Sequence, residues 1–475
     1  MAKAGWHVTV LEKHPIPGGR ARYLKAEGFT FDMGPSWYWM PDVFERYFAC
    51  FGKKVSDYYQ LIRLDPSYRV YYPDGPIDIP ADYAAMQQLF ESLEPGAGKR
   101  LQKFLEEAAF KYEAGIKKMV FKPGQSLTEF FDMDIVKGLF RLDLFRSMKS
   151  HVAKYFKHPK LVELMEFPVL FLGALPEKTP ALYSLMNYAD IKGGTWFPEK
   201  GMYQVVQAMY DLAVELGVQF RFEQEVTEIV IENNKAKKVL AKNPKGVIST
   251  YEADAVIGGA DYHHIETKLL PPASRSYTDA YWNSRVMAPG CILYYVGLNK
   301  KIQGIQHHSL FFDASFSVHG NEIYTAQQWP GDPLFYVSAT SVTDPSSAPE
   351  GCENLFLLIP VAAGLDGDTE ELREKYFDKI VTRLEKHIGQ SIKDAVIYKK
   401  SFAHSDFVSE YHAFKGNAYG LANTLWQTAV LKPSCRSRKV SNLFYTGQLT
   451  VPGPGVPPSL ISGEVVAGEV VKAFS

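Results

Sequence analysis

The chain has 475 residues, 46% of them hydrophobic and 22% charged, so it folds as a globular protein too long for one compact core. Its formal net charge of −1 excludes a global electrostatic attraction to nucleic acid. Phe (30) and Tyr (28) are abundant, which suits large apolar cavities or contact faces and equally an aromatic core.

Met1 to Gly5 reads as the last turn of a helix, with Gly5 as its cap. Val8-Thr9-Val10-Leu11 then reads as a buried parallel strand ending on Glu12. Nucleotide-binding α/β domains place an acidic side chain there, where its oxygens accept from both ribose hydroxyls. Gly18 and Gly19 let backbone approach a pyrophosphate, and Arg20 offers it a fixed charge. An ordinary strand and turn would use the same residues. The glycine-rich loop of such a domain starts roughly 20 residues before its ribose acid. That count runs past Met1. The expectation is a domain truncated at its first strand, with a central sheet position empty and the neighbouring edges unpaired.

Gly28-Phe29-Thr30-Phe31-Asp32-Met33-Gly34-Pro35-Ser36 is a short alternating strand running into a Gly-Pro turn. A glutamate-ended strand, Gly-Gly-Arg and Phe-x-Phe-Asp-x-Gly-Pro-Ser together resemble the amine oxidase and phytoene desaturase group of flavoproteins. That resemblance implies that Gly18, Gly19 and Arg20, with Gly34, Pro35 and Ser36, line an FAD site. Arg69 to Ile79 reads as a hairpin around Pro73-Asp74-Gly75-Pro76. Helical patterns run from Ala81 to Val120, broken at Pro95-Gly96-Ala97-Gly98.

Over Val136 to Pro159, Phe145, Met148, Val152, Tyr155 and Phe156 fall at helical spacing. Lys137, Arg141, Arg146, Lys149, Lys154 and Lys157 stand against one acid, Asp143. Such a basic amphipathic helix can lie on an anionic membrane, or it can be a solvated helix packed on its own domain. The apolar run Phe167 to Leu175 contains Pro168 and Gly173; it is too short to span a bilayer, and lines a tunnel or fills a core.

Gly194-Thr195-Trp196-Phe197-Pro198 leads into an amphipathic helix from Tyr203 to Leu216. Strands follow at Val218 to Phe222 and Val226 to Ile231. By the same resemblance, a helix and strand of this kind return to the nucleotide domain, and Val226 meets the adenine through its backbone. Glu252 to Asp261 is a further buried strand, and its end at Ala260 and Asp261 lets backbone approach the ligand. Cys291 to Leu298 and Asn354 to Pro360 are strand-like, and Thr369 to Ile388 is a helix with Asp368 as its expected cap. The four cysteines are scattered without metal spacing or disulfide framework, and the adjacent pairs His263-His264 and His307-His308 read as non-ligands, so no metal is expected.

Ser441 to Gly447 is a buried strand ending in glycine. Val451-Pro452-Gly453-Pro454-Gly455-Val456-Pro457-Pro458 then opens a helix, with prolines where a missing N–H costs nothing. The positive end of that helix would favour an anionic reduced flavin. Strand, proline-glycine corner and helix resemble the C-terminal flavin segment of bacterial-type carotenoid desaturases and isomerases, which adds Gly447, Gly455, Val456 and Pro457 to the FAD site. With Tyr183-Ser184-Leu185 and Gly194-x-Trp-Phe-Pro the resemblance covers nearly the whole chain. One departure is Gln448, where small or acidic residues are frequent in the group.

The fold class expected is α/β: a Rossmann-like FAD-binding domain with an inserted α+β substrate domain. The cofactor domain is drawn from residues 1–80, 195–268 and 415–475, and the substrate domain from 81–194 and 269–414. The resemblance implies dehydrogenation of phytoene or a related carotenoid, with a hydride passing to flavin N5 and oxygen or a quinone accepting the electrons. Unactivated C–H bonds are far too weak as acids for a carboxylate or histidine, and a hydrocarbon has no polar handle, so an apolar tunnel must position it. The resemblance places Arg146 near the flavin as the catalytic candidate. The scattered cysteines point to a reducing cytosol, and a substrate that dissolves only in lipid favours the basic helix lying on a membrane, so a cytoplasmic protein held peripherally on a membrane is expected. Carotenoid isomerisation or saturation, and a cofactor-free lipid-binding relative, are the alternatives.

Overall fold

The computed structural model describes residues 1–126, 129, 143, 145–170 and 173–475. Lys137 and Arg141 of the basic segment lie outside the described residues, as do Phe171 and Leu172 of the apolar run.

Two parallel strand pairs carry the motifs at the chain's two ends. Thr9–Leu11 pairs with Gln219–Arg221, and Val256–Gly258 pairs with Leu443–Tyr445. Parallel neighbours need crossover connections, and helix Tyr203–Glu215 supplies the last leg of the first one. The two pairs share no ladder, and each is a sheet of its own. A three-stranded antiparallel meander, Glu225–Glu232, Lys235–Lys242 and Ile248–Glu252, follows the first pair. Its first turn is Asn233-Asn234, both at positive φ, which suits a tight hairpin.

The larger sheet has seven strands. Their order is Val396–Phe402, Gly290–Leu298, Glu353–Val361, Phe335–Ser338, His308–Phe311, Tyr68–Tyr72 and Gly75–Ile79. Every residue of Gly290–Leu298 is buried, because both faces of the sheet are covered. Ile292, Tyr294, Val296 and Leu298 face helix Glu370–Ile388. Cys291, Leu293 and Tyr295 face the other way, into the core that holds helices Ala97–Ala114, Met148–Tyr155 and Pro159–Leu170. The period of two therefore separates two cores across one sheet.

Most expected elements are present with shifted ends. The hairpin Tyr68–Tyr72/Gly75–Ile79 pairs in parallel with His308–Phe311. The expected division at residue 80 would assign it to the cofactor domain, yet its hydrogen bonds run to the large sheet. The cap of helix Glu370–Ile388 is Thr369, whose hydroxyl accepts from the Leu372 N–H. Asp368, the expected cap, instead forms a fork with Arg373 at 2.7 Å. In the basic segment, Met148, Val152 and Tyr155 are buried, so the described helix packs on its own domain, while Phe145 is 91% exposed.

Candidate flavin site and substrate cavity

Glu12 closes the first parallel pair, its N–H donating to Arg221 O at 2.9 Å. Its carboxylate turns back to accept from the His14 N–H at 2.8 Å, and burial raises its pKa. Gly18 and Gly19 both have positive φ. A Cβ on Gly18 would meet the Val206 side chain at 3.1 Å, whereas one on Gly19 would enter open space. Arg20 is directed inward. Its Nη1 donates to the carbonyls of Asn417 (2.6 Å) and Ala418 (3.0 Å), and the guanidinium lies 5.2 Å from the Tyr411 ring centre. Gly34 packs on this turn so closely that a Cβ would stand 2.5 Å from Arg20 O. Pro35 follows, and Ser36 Oγ accepts from the Tyr336 hydroxyl at 3.0 Å.

Asp32, a residue of the Phe-x-Phe-Asp motif without a role in the sequence reading, accepts from the N–H groups of Met202 (2.9 Å) and Tyr203 (3.1 Å). It thus holds the start of helix Tyr203–Glu215, and burial pushes its pKa up to about 6. Val226 sits on the meander opposite Ala241. Ala260 is exposed at the end of the second parallel pair. The Asp261 carboxylate is engaged by backbone, accepting from His264 N–H and Phe414 N–H at 3.1 Å each.

At the other end of the chain, Gly447 has φ +105° and nothing within 4 Å of its Cβ position. Its N–H donates to Ser462 Oγ at 3.1 Å. Gly455, at φ +110°, precedes helix Val456–Phe474 without a side-chain cap, and Pro457 and Pro458 occupy its first turn. Val456 packs against the cluster of Tyr38, Phe44, Met202 and Val205. Gly18 and Asp32 both meet helix Tyr203–Glu215, and Val456 packs on the cluster to which that helix contributes Val205.

This donor set fits a flavin dinucleotide: an acid at a strand end, two open positive-φ glycine cradles at Gly19 and Gly447, and the positive end of a long uncapped helix. The family model described as flavin containing amine oxidoreductase matches residues 1–471. The chain belongs to that family. It is an FAD-dependent oxidoreductase of α/β, Rossmann-like fold. It is 42% identical to a carotenoid 3,4-desaturase from Haloarcula japonica, over 99% of this chain and 94% of the relative. A zeta-carotene-forming phytoene desaturase from Myxococcus xanthus is 31% identical, over 98% and 89%. Among solved structures, an oxidoreductase from Methanosarcina mazei superposes with a TM-score of 0.62 at 18% identity, covering 98% of this chain and 95% of that one.

Tyr336, which donates to Ser36 of this flavoprotein's Gly-Pro-Ser segment, also lines, with Phe167, Leu310, Phe312, Phe316, Leu358 and Tyr419, a cavity of about 50 Å³. Its one histidine, His319, is spent on backbone: Nδ1 accepts from Leu334 N–H and Nε2 donates to Pro360 O, both at 3.0 Å. Residues 417–420 join the cavity to the flavin motifs. Arg20 holds Asn417 and Ala418, and Tyr419 lines the cavity. Gln448 donates to Asn417 Oδ1 at 2.9 Å, and Gly420 N–H does so at 2.8 Å. Gln448, the departure from the family pattern, is thus bound to a fully buried Asn417.

Lys432 was not singled out from sequence. It is buried, donates to Asn423 Oδ1 at 2.9 Å, and stands 3.1 Å from where a Gly453 Cβ would be. Burial pushes its pKa down to about 8. Arg146 is half-exposed, 3.7 Å from Asp143, and lines no part of the cavity. Beside it, Glu107, Asp143 and His151 offer three possible metal ligands, but the Lys111 ammonium already stands among them, 3.1 Å from Asp143 and 3.4 Å from His151.

Proposed function

We propose that this flavoenzyme desaturates a carotenoid at the 3,4 position, the one that the name of the 42%-identical relative gives for that protein. The observation that carries the reading is the apolar cavity tied to the flavin motifs at two points, Tyr336 to Ser36 and Tyr419 through the Arg20 clamp. FAD, when bound, supplies the two-electron acceptor. The chain's own part is to orient a hydrocarbon by shape, since the aromatic and aliphatic walls offer it little else, and to keep water away. No carboxylate or lysine lines the cavity among the described residues.

The assignment of Glu12, Gly18, Gly19, Arg20, Gly34, Pro35, Ser36, Val226, Ala260, Asp261, Gly447, Gly455, Val456 and Pro457 to the FAD site, and of Arg146 to its neighbourhood, belongs to this proposal. So does a peripheral membrane position. Among the described residues no helix is long and apolar enough to cross a membrane. Phe145 and Trp426 stand 91% and 77% exposed, and Ala181, whose N–H donates to Arg146 O, is two residues from Tyr183, which meets Thr428. Exposed aromatics of this kind suit insertion among lipid headgroups.

The test is carotenoid analysis after purified, flavin-loaded protein is mixed with polyene-bearing vesicles and a quinone or oxygen. Longer chromophores are expected. Altered double-bond geometry alone would reject desaturation.

A further inference from the structure

A lysine taken out of water is costly unless oxygens gather around its ammonium, because the protein interior stabilises a bare charge poorly. Two lysines are buried among the described residues, Lys111 and Lys432. Lys111 is matched. It meets Asp143 at 3.1 Å and donates to Ala181 O at 3.1 Å and to Ser184 Oγ at 3.2 Å. Lys432, 4% exposed, donates to one oxygen, Asn423 Oδ1 at 2.9 Å. No carboxylate among the described residues pairs with it, and burial alone lowers its pKa. An ammonium has three N–H donors, so this one keeps two to spare.

Its place in the fold says what could use them. Pro433, the next residue, accepts from the Thr450 hydroxyl at 2.7 Å, which ties this stretch to the proline-glycine corner at Val451–Gly455. At Gly453, with φ +140°, a Cβ would stand 3.1 Å from Lys432 Nζ and 3.3 Å from Asn423 Oδ1, so any larger residue would crowd the ammonium. Three residues further on, helix Val456–Phe474 starts without a side-chain cap. The start of a helix carries positive potential. Two positive features thus share one corner, with no anion between them among the described residues.

The proposed chemistry brings an anion to that corner. A hydride is one proton with two electrons. Passed to a neutral flavin ring, it leaves one net negative charge, on the side of N1 and the C2 carbonyl. Neither a hydrocarbon nor water carries such a charge.

We propose that Lys432 is the counter-ion of the reduced flavin: its ammonium stabilises the negative charge that a hydride brings, and so sets how strongly the cofactor draws that hydride. This rests on placing FAD at the Gly453–Val456 corner, and adds to that site a residue from outside its motifs.

The experiment reduces the FAD-loaded protein beside reference dyes, which reads the midpoint potential. The near-ultraviolet spectrum of the reduced form reads its ionisation across pH. In the unaltered protein the reduced flavin should stay anionic at least about one pH unit below the point where free reduced FAD takes up its second proton. Lys432→Met keeps the length and removes the charge. It should weaken the reduced form against the oxidised form at least about tenfold, about 30 mV for a two-electron couple, and return the ionisation towards that of free FAD. Lys432→Arg should recover most of both. A lysine with a structural role alone would change the melting temperature and leave both readings still, and that result overturns the inference. A reduced flavin in the unaltered protein that protonates where free FAD does overturns it without any variant. Gly455→Ala tests the placement separately: strained at φ +110°, it should weaken the retention of FAD. Full retention there strikes at the flavin-site reading, whereas weakened retention there with Lys432→Met silent strikes at the counter-ion alone.

Discussion

The flavin site and the cavity are built on different terms. At the proposed flavin site the parts are mostly backbone: glycines at positive φ, an uncapped helix start, and carbonyls gathered by Arg20. A dinucleotide carries phosphates and hydroxyls, which backbone N–H groups bind well, and the side chains need chiefly to stay out of the way. In the cavity the working parts are side chains brought from distant stretches, Phe167, Leu310, Tyr336, Leu358 and Tyr419 among them. A substrate with little polarity is recognised by shape, and shape belongs to no single motif. Motif-written sites should therefore be intolerant of added atoms, and packing-written sites of removed ones.

That contrast can be broken by substitution. The largest effect is expected for Leu310→Ala in the cavity wall, where Leu310 is 3% exposed. Truncation should cost about 2–5 kcal/mol of stability, read by denaturant unfolding, with flavin retained at 450 nm. Loss of flavin there would show that the two sites are not separable. Next comes Gly34→Val, whose Cβ would press on Arg20 O. Overpacking should cost about 1–3 kcal/mol and, unlike the cavity change, strip the purified protein of its yellow colour.

A smaller effect concerns charge. Lys432 has a pKa pushed down to about 8 from the ordinary 10.5. Between those values the unfolded chain binds the extra proton, so the folded state gains stability as pH rises through that window. The melting temperature of the native protein should climb relative to Lys432→Met from about pH 8 to 10.5; parallel curves would place the ammonium in water. The smallest structural effect is expected for Arg146→Gln. Its half-exposed ion pair with Asp143 at 3.7 Å should be worth under about 1 kcal/mol. A tenfold fall in turnover at unchanged melting temperature would support its proposed place by the flavin, and unchanged turnover would remove it.

Legibility followed the same divide. Glu12, the Gly18-Gly19 pair and the Pro-Gly corner before Val456 could be found because local backbone demands leave local residue patterns. Helix Tyr203–Glu215 was readable from its periodicity within one residue of its end. Asp32 was visible in its motif, but its task of holding the start of that helix was not, since the helix lies some 170 residues later. Asn417, Lys432 and Tyr336 had no linear signal: Arg20 holds Asn417 from 397 residues away, and Tyr336 reaches Ser36 across 300.

By itself, then, the amino-acid order determined an α/β flavoprotein with its nucleotide-type motifs near both ends of the chain, because strand ends, tight turns and helix starts are short-range constraints. Only the tertiary structure decided that Arg20 grips carbonyls at Asn417 and Ala418, that the hairpin before residue 80 joins the large sheet, and that the Tyr336 hydroxyl reaches Ser36. These are consequences of packing between remote segments, where burial and pairing are settled by whatever the fold brings alongside.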